Sequence, residues 1–159
     1  MQMKISCGVP LMYHNPTNLG LALEIAAQPS GKIIAGGTDV YPAATKGILP
    51  KFFLDLTSLE GFAEISDHDG MLRIGAATTW SQIAKFDLPP AFDTLKQAAK
   101  EVGSIQIQNT GTLAGNICNA SPAADGVPPL LALDAKVELA SAERGTRVLA
   151  LSEFIQGVR

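Results

Sequence analysis

A short apolar strand running into a double glycine and then a threonine–aspartate pair, Lys32-Ile33-Ile34-Ala35-Gly36-Gly37-Thr38-Asp39-Val40, has the composition of an anion cradle. Two residues without a Cβ let the backbone approach a diphosphate closely and turn its N–H groups toward it. Thr38 or Asp39 can cap the helical turn that follows and bring its positive end nearby. The chemistry this suggests is the holding of a phosphorylated cofactor. Taken alone, Gly-Gly after a strand is equally well a plain strand-to-helix turn.

A second segment, Gln106 to Asp125, is dense in Thr, Asn, Ser and small residues: Thr110, Gly111, Thr112, Leu113, Ala114, Gly115 and Asn116, then Asn119, Ser121 and Asp125. Such a composition predicts an irregular segment whose donors face something polar, or, more plainly, a polar loop with its own satisfied hydrogen bonds. A carboxylate is repelled by a diphosphate and accepts well from hydroxyls. Asp125 therefore suits hydroxyl groups, or else caps the turn from Val127 to Leu133, in which Pro128 fits the first turn. Asp39 likewise suits a cap or a hydroxyl. Cys118 reads as a packed small side chain, since no charged base adjoins it to generate a thiolate.

The elements that must position these segments follow from periodicity. Thr17 caps a helix over 18–28, with Leu19, Ala22, Leu23 and Ala26 on one face, ended by Pro29-Ser30-Gly31. Strands over 32–35 and 52–56 flank the first glycine loop and a short helical stretch with Pro42 at an early position, a βαβ-like lobe with parallel strands. The passage Thr57-Ser58-Leu59-Glu60-Gly61 divides residues 1–57 from a second α+β lobe over 58–159. There, strands over 62–66 and 71–76 meet at Asp69-Gly70. A helix starts at Thr79 with Gln82 in capping-box position. A longer helix after Pro89-Pro90 carries Phe92, Leu95, Ala99 and Val102 on one face, and a last hairpin, 136–140 with 146–149, turns at Arg144-Gly145. Thr78 and Thr79 read as strand-end and cap residues, and Trp80, Tyr13 and Tyr41 as core or surface aromatics.

The chain has 159 residues, 47% hydrophobic and 17% charged, so it can bury a proper core. A net charge of −3 leaves no basic stripe for nucleic acid. No run of about 18 apolar residues and no charged leader with an apolar run occurs, which gives the expectation of a cytoplasmic protein without a membrane partner. Cys7 and Cys118 are far apart, so neither a disulfide framework nor an iron–sulfur or zinc site is assembled from this chain alone. His14 and His68 lie in turn-like contexts where exposure is the default.

At this point Ala35-Gly36-Gly37-Thr38-Asp39 and Thr112-Leu113-Ala114-Gly115-Asn116 resemble the two FAD-binding signatures of the flavoprotein subunit of molybdenum hydroxylases, the family of the carbon monoxide dehydrogenase medium subunit and the xanthine dehydrogenase FAD domain. Ile74 to Thr79, Ser121 to Asp125 and Pro129 to Asp134 resemble family segments in the same order, so the resemblance covers essentially the whole chain. It implies an α+β, two-lobed FAD-binding fold of the vanillyl-alcohol oxidase and carbon monoxide dehydrogenase type, without the C-terminal flavoprotein domain, and hence a fragment. By position, Lys32, Ile33, Ile34, Ala35, Gly36, Gly37, Thr38, Asp39 and Val40 would line the adenosine diphosphate portion. Thr112, Leu113, Ala114, Gly115 and Asn116 would close on the pyrophosphate and ribityl chain, with Asn119 and Asp125 near ribityl hydroxyls. The family commonly has glycine at Ala114 and arginine at Gln108. The second departure removes a positive charge near the cofactor.

The implied activity is an FAD-dependent oxidoreductase subunit that passes electrons from [2Fe–2S] clusters on a small partner, fed by a molybdenum cofactor on a large one, to an external acceptor. No catalytic or metal residue is expected here, because the chemistry belongs to the flavin. Two alternatives stay open: an FAD-dependent oxidase of the wider fold, whose histidine attachment site neither His14 nor His68 supplies, and a cofactor-free interaction module. A Rossmann domain lacks support, because Gly36-Gly37 is not the GxGxxG spacing.

Overall fold

The computed structural model describes residues 12–40 and 50–157. Cys7, Tyr41 and the helical stretch expected around Pro42 lie outside them. The first strands, β1 (Met12–His14), β2 (Gly31–Ile34) and β3 (Phe52–Asp55), form a parallel sheet in the order β1-β3-β2. All four residues of the central strand are buried, as a parallel strand covered on both faces requires. β2 begins one residue earlier than expected, at Gly31. A Cβ there would lie 2.0 Å from the Phe52 ring, so only glycine lets the strands pair beside that phenylalanine.

Helix α1 (Leu19–Ala26) connects β1 to β2. Its cap is Asn18, whose side chain accepts from Leu21 N at 3.2 Å, and not Thr17. The buried residues are Ala22 and Ile25, while Leu19 is 42% exposed. The expected stripe was thus rotated by tertiary packing, because Ile25 meets Phe52 and Leu54 in the first core cluster.

The remaining elements build a second, larger core. Hairpin β4 (Ile65–His68) and β5 (Met71–Ile74) turns at Asp69 and Gly70, both with positive φ (53° and 78°). Both left-handed residues make this the turn that matches strand twist. Helix α2 (Trp80–Lys85) starts from Thr79 with the full capping box to Gln82, as expected. Helix α3 (Asp93–Glu101) buries Leu95 and Ala99 completely and ends before Gly103, where φ is +52°. The segment expected to be irregular instead folds as two short helices, α4 (Ile105–Thr110) and α5 (Leu113–Asn119). Ser104 and Thr112 each supply a side-chain N-cap, and Leu113 and Ile117 are drawn into the core beside Trp80, Ile83 and Leu95. That apolar pair, four residues apart, is enough to fix a helix once tertiary packing exists to receive it. Helix α6 (Val127–Ala132), hairpin β6 (Lys136–Ser141) with β7 (Gly145–Ala150), and α7 (Leu151–Phe154) complete the order. Trp80, only 1% exposed, is central to this core, and a Cβ on Gly126 would lie 2.5 Å from its ring.

Candidate functional site

β2 delivers its chain end to the carboxyl edge of the parallel sheet, where open α/β sheets leave a crevice. Beyond Ile34 the backbone bends through Ala35 and Gly36 to Gly37, whose φ of +67° is left-handed, and a turn closes with Val40 N donating to Gly37 O at 3.1 Å. The helix this turn would enter lies outside the described residues. Gly36 is pressed against the second glycine segment. A Cβ on it would lie 1.9 Å from the Thr110 carbonyl oxygen and 2.9 Å from Gly111 Cα. Two loops remote in sequence therefore meet backbone to backbone, and glycine at 36 is what permits it.

The opposite wall is held by hydrogen bonds between α2 and α5. Thr79 and Thr112 form an isolated antiparallel bridge, with Trp80 N donating to Gly111 O at 3.2 Å and Leu113 N to Thr78 O at 3.0 Å. Gly111 ends α4, its N–H donating to Ile107 O at 2.6 Å, and Thr112 opens α5, its hydroxyl accepting from Gly115 N at 3.0 Å. The floor is Asp55, the last residue of β3. Its carboxylate is buried and accepts from Thr57 N at 2.8 Å, from Thr57 Oγ1 at 2.7 Å and from the Tyr13 hydroxyl.

Together these segments enclose a cleft of about 410 Å³. One side is Ile34, Ala35, Gly36, Gly37, Asp55 and Thr57; the other is Ala77, Thr79, Asn109, Thr110 and Thr112. Of the residues expected to bind, Ile34, Ala35, Gly36, Gly37 and Thr112 line it. Lys32 and Ile33 are exposed along β2, Thr38, Asp39 and Val40 continue the turn, and Leu113 is buried in the core. Ala114, Gly115, Asn116 and Asn119 run along α5, and Asp125 is exposed beyond it. Asp125 caps nothing: Gly126 occupies the cap of α6, with no side-chain bond. Cys118 is exposed, not packed.

Asp55, Thr57 and Ala77 were not singled out from sequence, and Asn109 and Thr110 were read only as part of the polar segment and not as binding residues. A signal existed for one pair, because Asp-x-Thr at a strand end is a local side-chain-to-backbone turn. Nothing local set Asn109 apart from the other polar residues of its segment. Two departures also gain a physical account. Ala114 sits in right-handed helix, so position 114 makes no demand for left-handed backbone. Gln108 Nε2 donates to Lys100 O at 2.7 Å and so serves the end of α3 instead of standing in for a cofactor-facing charge.

The cleft's chemistry fits a neutral-donor diphosphate site. Among the described residues its one charged lining residue is Asp55, whose two carboxylate oxygens are already occupied by three donors. Nearby on α5, Asn116 Oδ1 is buried without a hydrogen-bond partner among the described residues, facing the space that a Cβ on Gly126 would fill. A buried acceptor left so costs about 1–3 kcal/mol, which a bound donor would recover.

Comparison with known families gives a match over residues 4–159 to the FAD binding domain in molybdopterin dehydrogenase. The chain belongs to this family. It is 35% identical over 149 residues to the xanthine dehydrogenase FAD-binding subunit of Escherichia coli O157:H7, covering 91% of this chain and 51% of that protein. It is 39% identical over 127 residues to the nicotinate dehydrogenase FAD-subunit of Eubacterium barkeri, covering 79% and 43%. Among solved structures, reconstituted CO dehydrogenase from Oligotropha carboxidovorans superposes with a TM-score of 0.86 at 25% identity, covering 94% of this chain and 54% of that one. The chain thus spans about half the length of the relatives it matches. The α+β architecture expected from the resemblance is the one found. Among the described residues of this FAD-binding domain, no helix is long and apolar enough to cross a membrane.

Proposed function

We propose that this chain is the FAD-holding part of an electron-transfer subunit in a molybdenum-containing hydroxylase or dehydrogenase. In that assembly a small iron–sulfur partner delivers electrons that a large molybdenum partner extracts from substrate, and the flavin hands them to an external acceptor. Bound flavin supplies the acceptance and release of electrons singly or in pairs. The residues of this chain bind and orient it. The observation that carries the reading is the backbone contact of Gly36 with Thr110 and Gly111, which brings the two glycine segments to one cleft. In this reading the cleft, lined by residues between Ile34 and Thr57 on one side and between Ala77 and Thr112 on the other, is the junction of the two lobes expected over 1–57 and 58–159.

In this reading the backbone from Lys32 to Val40 surrounds the adenosine diphosphate portion, with Gly36 and Gly37 at the pyrophosphate and Thr112 closing from the other wall. The Gly115 amide is committed to Thr112, so Gly115 contributes by its small size. Asn116, whose Oδ1 has no partner among the described residues, would meet the ribityl hydroxyls together with Asn119 and Asp125. The test is titration of the purified chain with FAD, followed by flavin fluorescence and melting temperature. Quenching and a raised melting temperature support the proposal, because a ligand that binds only the folded state stabilises it. A chain that takes up no FAD leaves the cofactor-free module as the reading.

A further inference from the structure

Resting on the FAD reading, the accounting of donors in the cleft singles out one side chain. Most polar groups along its walls are already committed. Thr57 Oγ1 donates to Asp55 Oδ1 at 2.7 Å, Thr79 Oγ1 to Gln82 Oε1 at 3.0 Å, and Thr110 Oγ1 back to Gln106 O at 3.1 Å. Among the described lining residues, the side-chain donors left over are the Thr112 hydroxyl hydrogen and the amide N–H pair of Asn109. Among the described lining residues there is no lysine, arginine or histidine, and the one carboxylate is shielded by Tyr13 and Thr57. From these residues a diphosphate is met by neutral donors, and an amide presents two in a fixed fork.

Asn109 is also pre-set. It is exposed to the cleft, yet its Oδ1 accepts from Ser81 Oγ at 2.6 Å, and Ser81 is buried in the first turn of α2. With the oxygen held, the nitrogen is the end left for a ligand. We propose that Asn109 donates through Nδ2 to the phosphate oxygens of the cofactor, and that Ser81 is its positioning residue. Fixing the amide before binding removes part of the ordering cost that a free side chain would incur.

The experiment is FAD titration of the purified chain as wild type and as Asn109→Ala, Asn109→Asp, Ser81→Ala and Ser81→Thr, at low and high salt. A hydrogen bond to a charged group predicts that Asn109→Ala weakens FAD by about 10-fold or more. Asn109→Asp keeps the shape but sets an anion against the diphosphate. It should weaken binding about 10-fold further, with the added loss shrinking in high salt. Ser81→Ala should weaken binding by about 3- to 10-fold and Ser81→Thr should restore it, a pattern that general damage to the core would not give. Asn109→Asp, which still accepts from Ser81, should melt as wild type does. Asn109→Asp binding FAD as tightly as wild type overturns the proposal, because it would mean a hydroxyl partner. Wild-type affinity in both Asn109 variants overturns it too, while leaving the FAD reading intact. A wild-type chain that binds no FAD overturns both.

Discussion

Replacing Gly36 by alanine tests the contact on which the site depends. The added Cβ would lie 1.9 Å from the Thr110 carbonyl oxygen, 2.6 Å from its carbon and 2.9 Å from Gly111 Cα. All three are backbone atoms, so no rotamer relieves the overlap. Reaching ordinary contact means going from 1.9 Å to 3.4 Å, which moves the two loops apart by about 1.5 Å. Overpacking of this kind costs about 1–3 kcal/mol. For a domain of this size that is a melting-temperature drop of roughly 2–12 °C. The same displacement opens the cleft wall, so FAD affinity should fall by about 10-fold or more, roughly 1.4 kcal/mol. The assay pairs thermal unfolding with FAD titration. Gly70→Ala is the control: its φ of +78° predicts strain, nothing lies within 4 Å of the new Cβ, and it is far from the cleft, so stability should fall with FAD affinity unchanged. A Gly36→Ala chain with wild-type melting and wild-type affinity would refute the convergence of the two loops. A loss of stability with affinity intact would separate that contact from the cofactor.

Other substitutions probe separate links. Gly37→Val places a β-branched residue at φ +67° and should abolish FAD uptake while circular dichroism keeps its helix and strand content. Gly115→Val, whose Cβ would meet Thr112 Oγ1 at 2.9 Å, should do the same by displacing the cap that faces the cleft. Unchanged affinity in both would defeat the assignment of these loops. Tyr13→Phe removes a donor from the buried Asp55 carboxylate and should cost about 1–3 kcal/mol in denaturant unfolding, with the Thr57 bonds preserved. Thr79→Ala deletes the α2 capping box beside the bridge to Thr112 and should cost about 1 kcal/mol, read as a melting shift of roughly 2–4 °C.

What the amino-acid sequence determined by itself is local. The Thr79 and Gln82 box, the Asp69-Gly70 turn and the α3 face of Leu95 and Ala99 each follow from residues a few positions apart, and each is found. The two glycine segments were legible too, because a missing Cβ is a property of the residue alone. Tertiary structure decided the rest. Ile25 faces the core of α1 while Leu19 does not, since a short helix has several half-apolar faces and the sheet selects one. The polar stretch from Leu113 became α5 because Leu113 and Ile117 found a core to enter. Asp55 and Asn109 gained their roles from partners 42 and 28 residues away, Tyr13 and Ser81. Hydrogen-bond partners at such separations leave no periodicity in the chain, so folding alone brings them to the cleft.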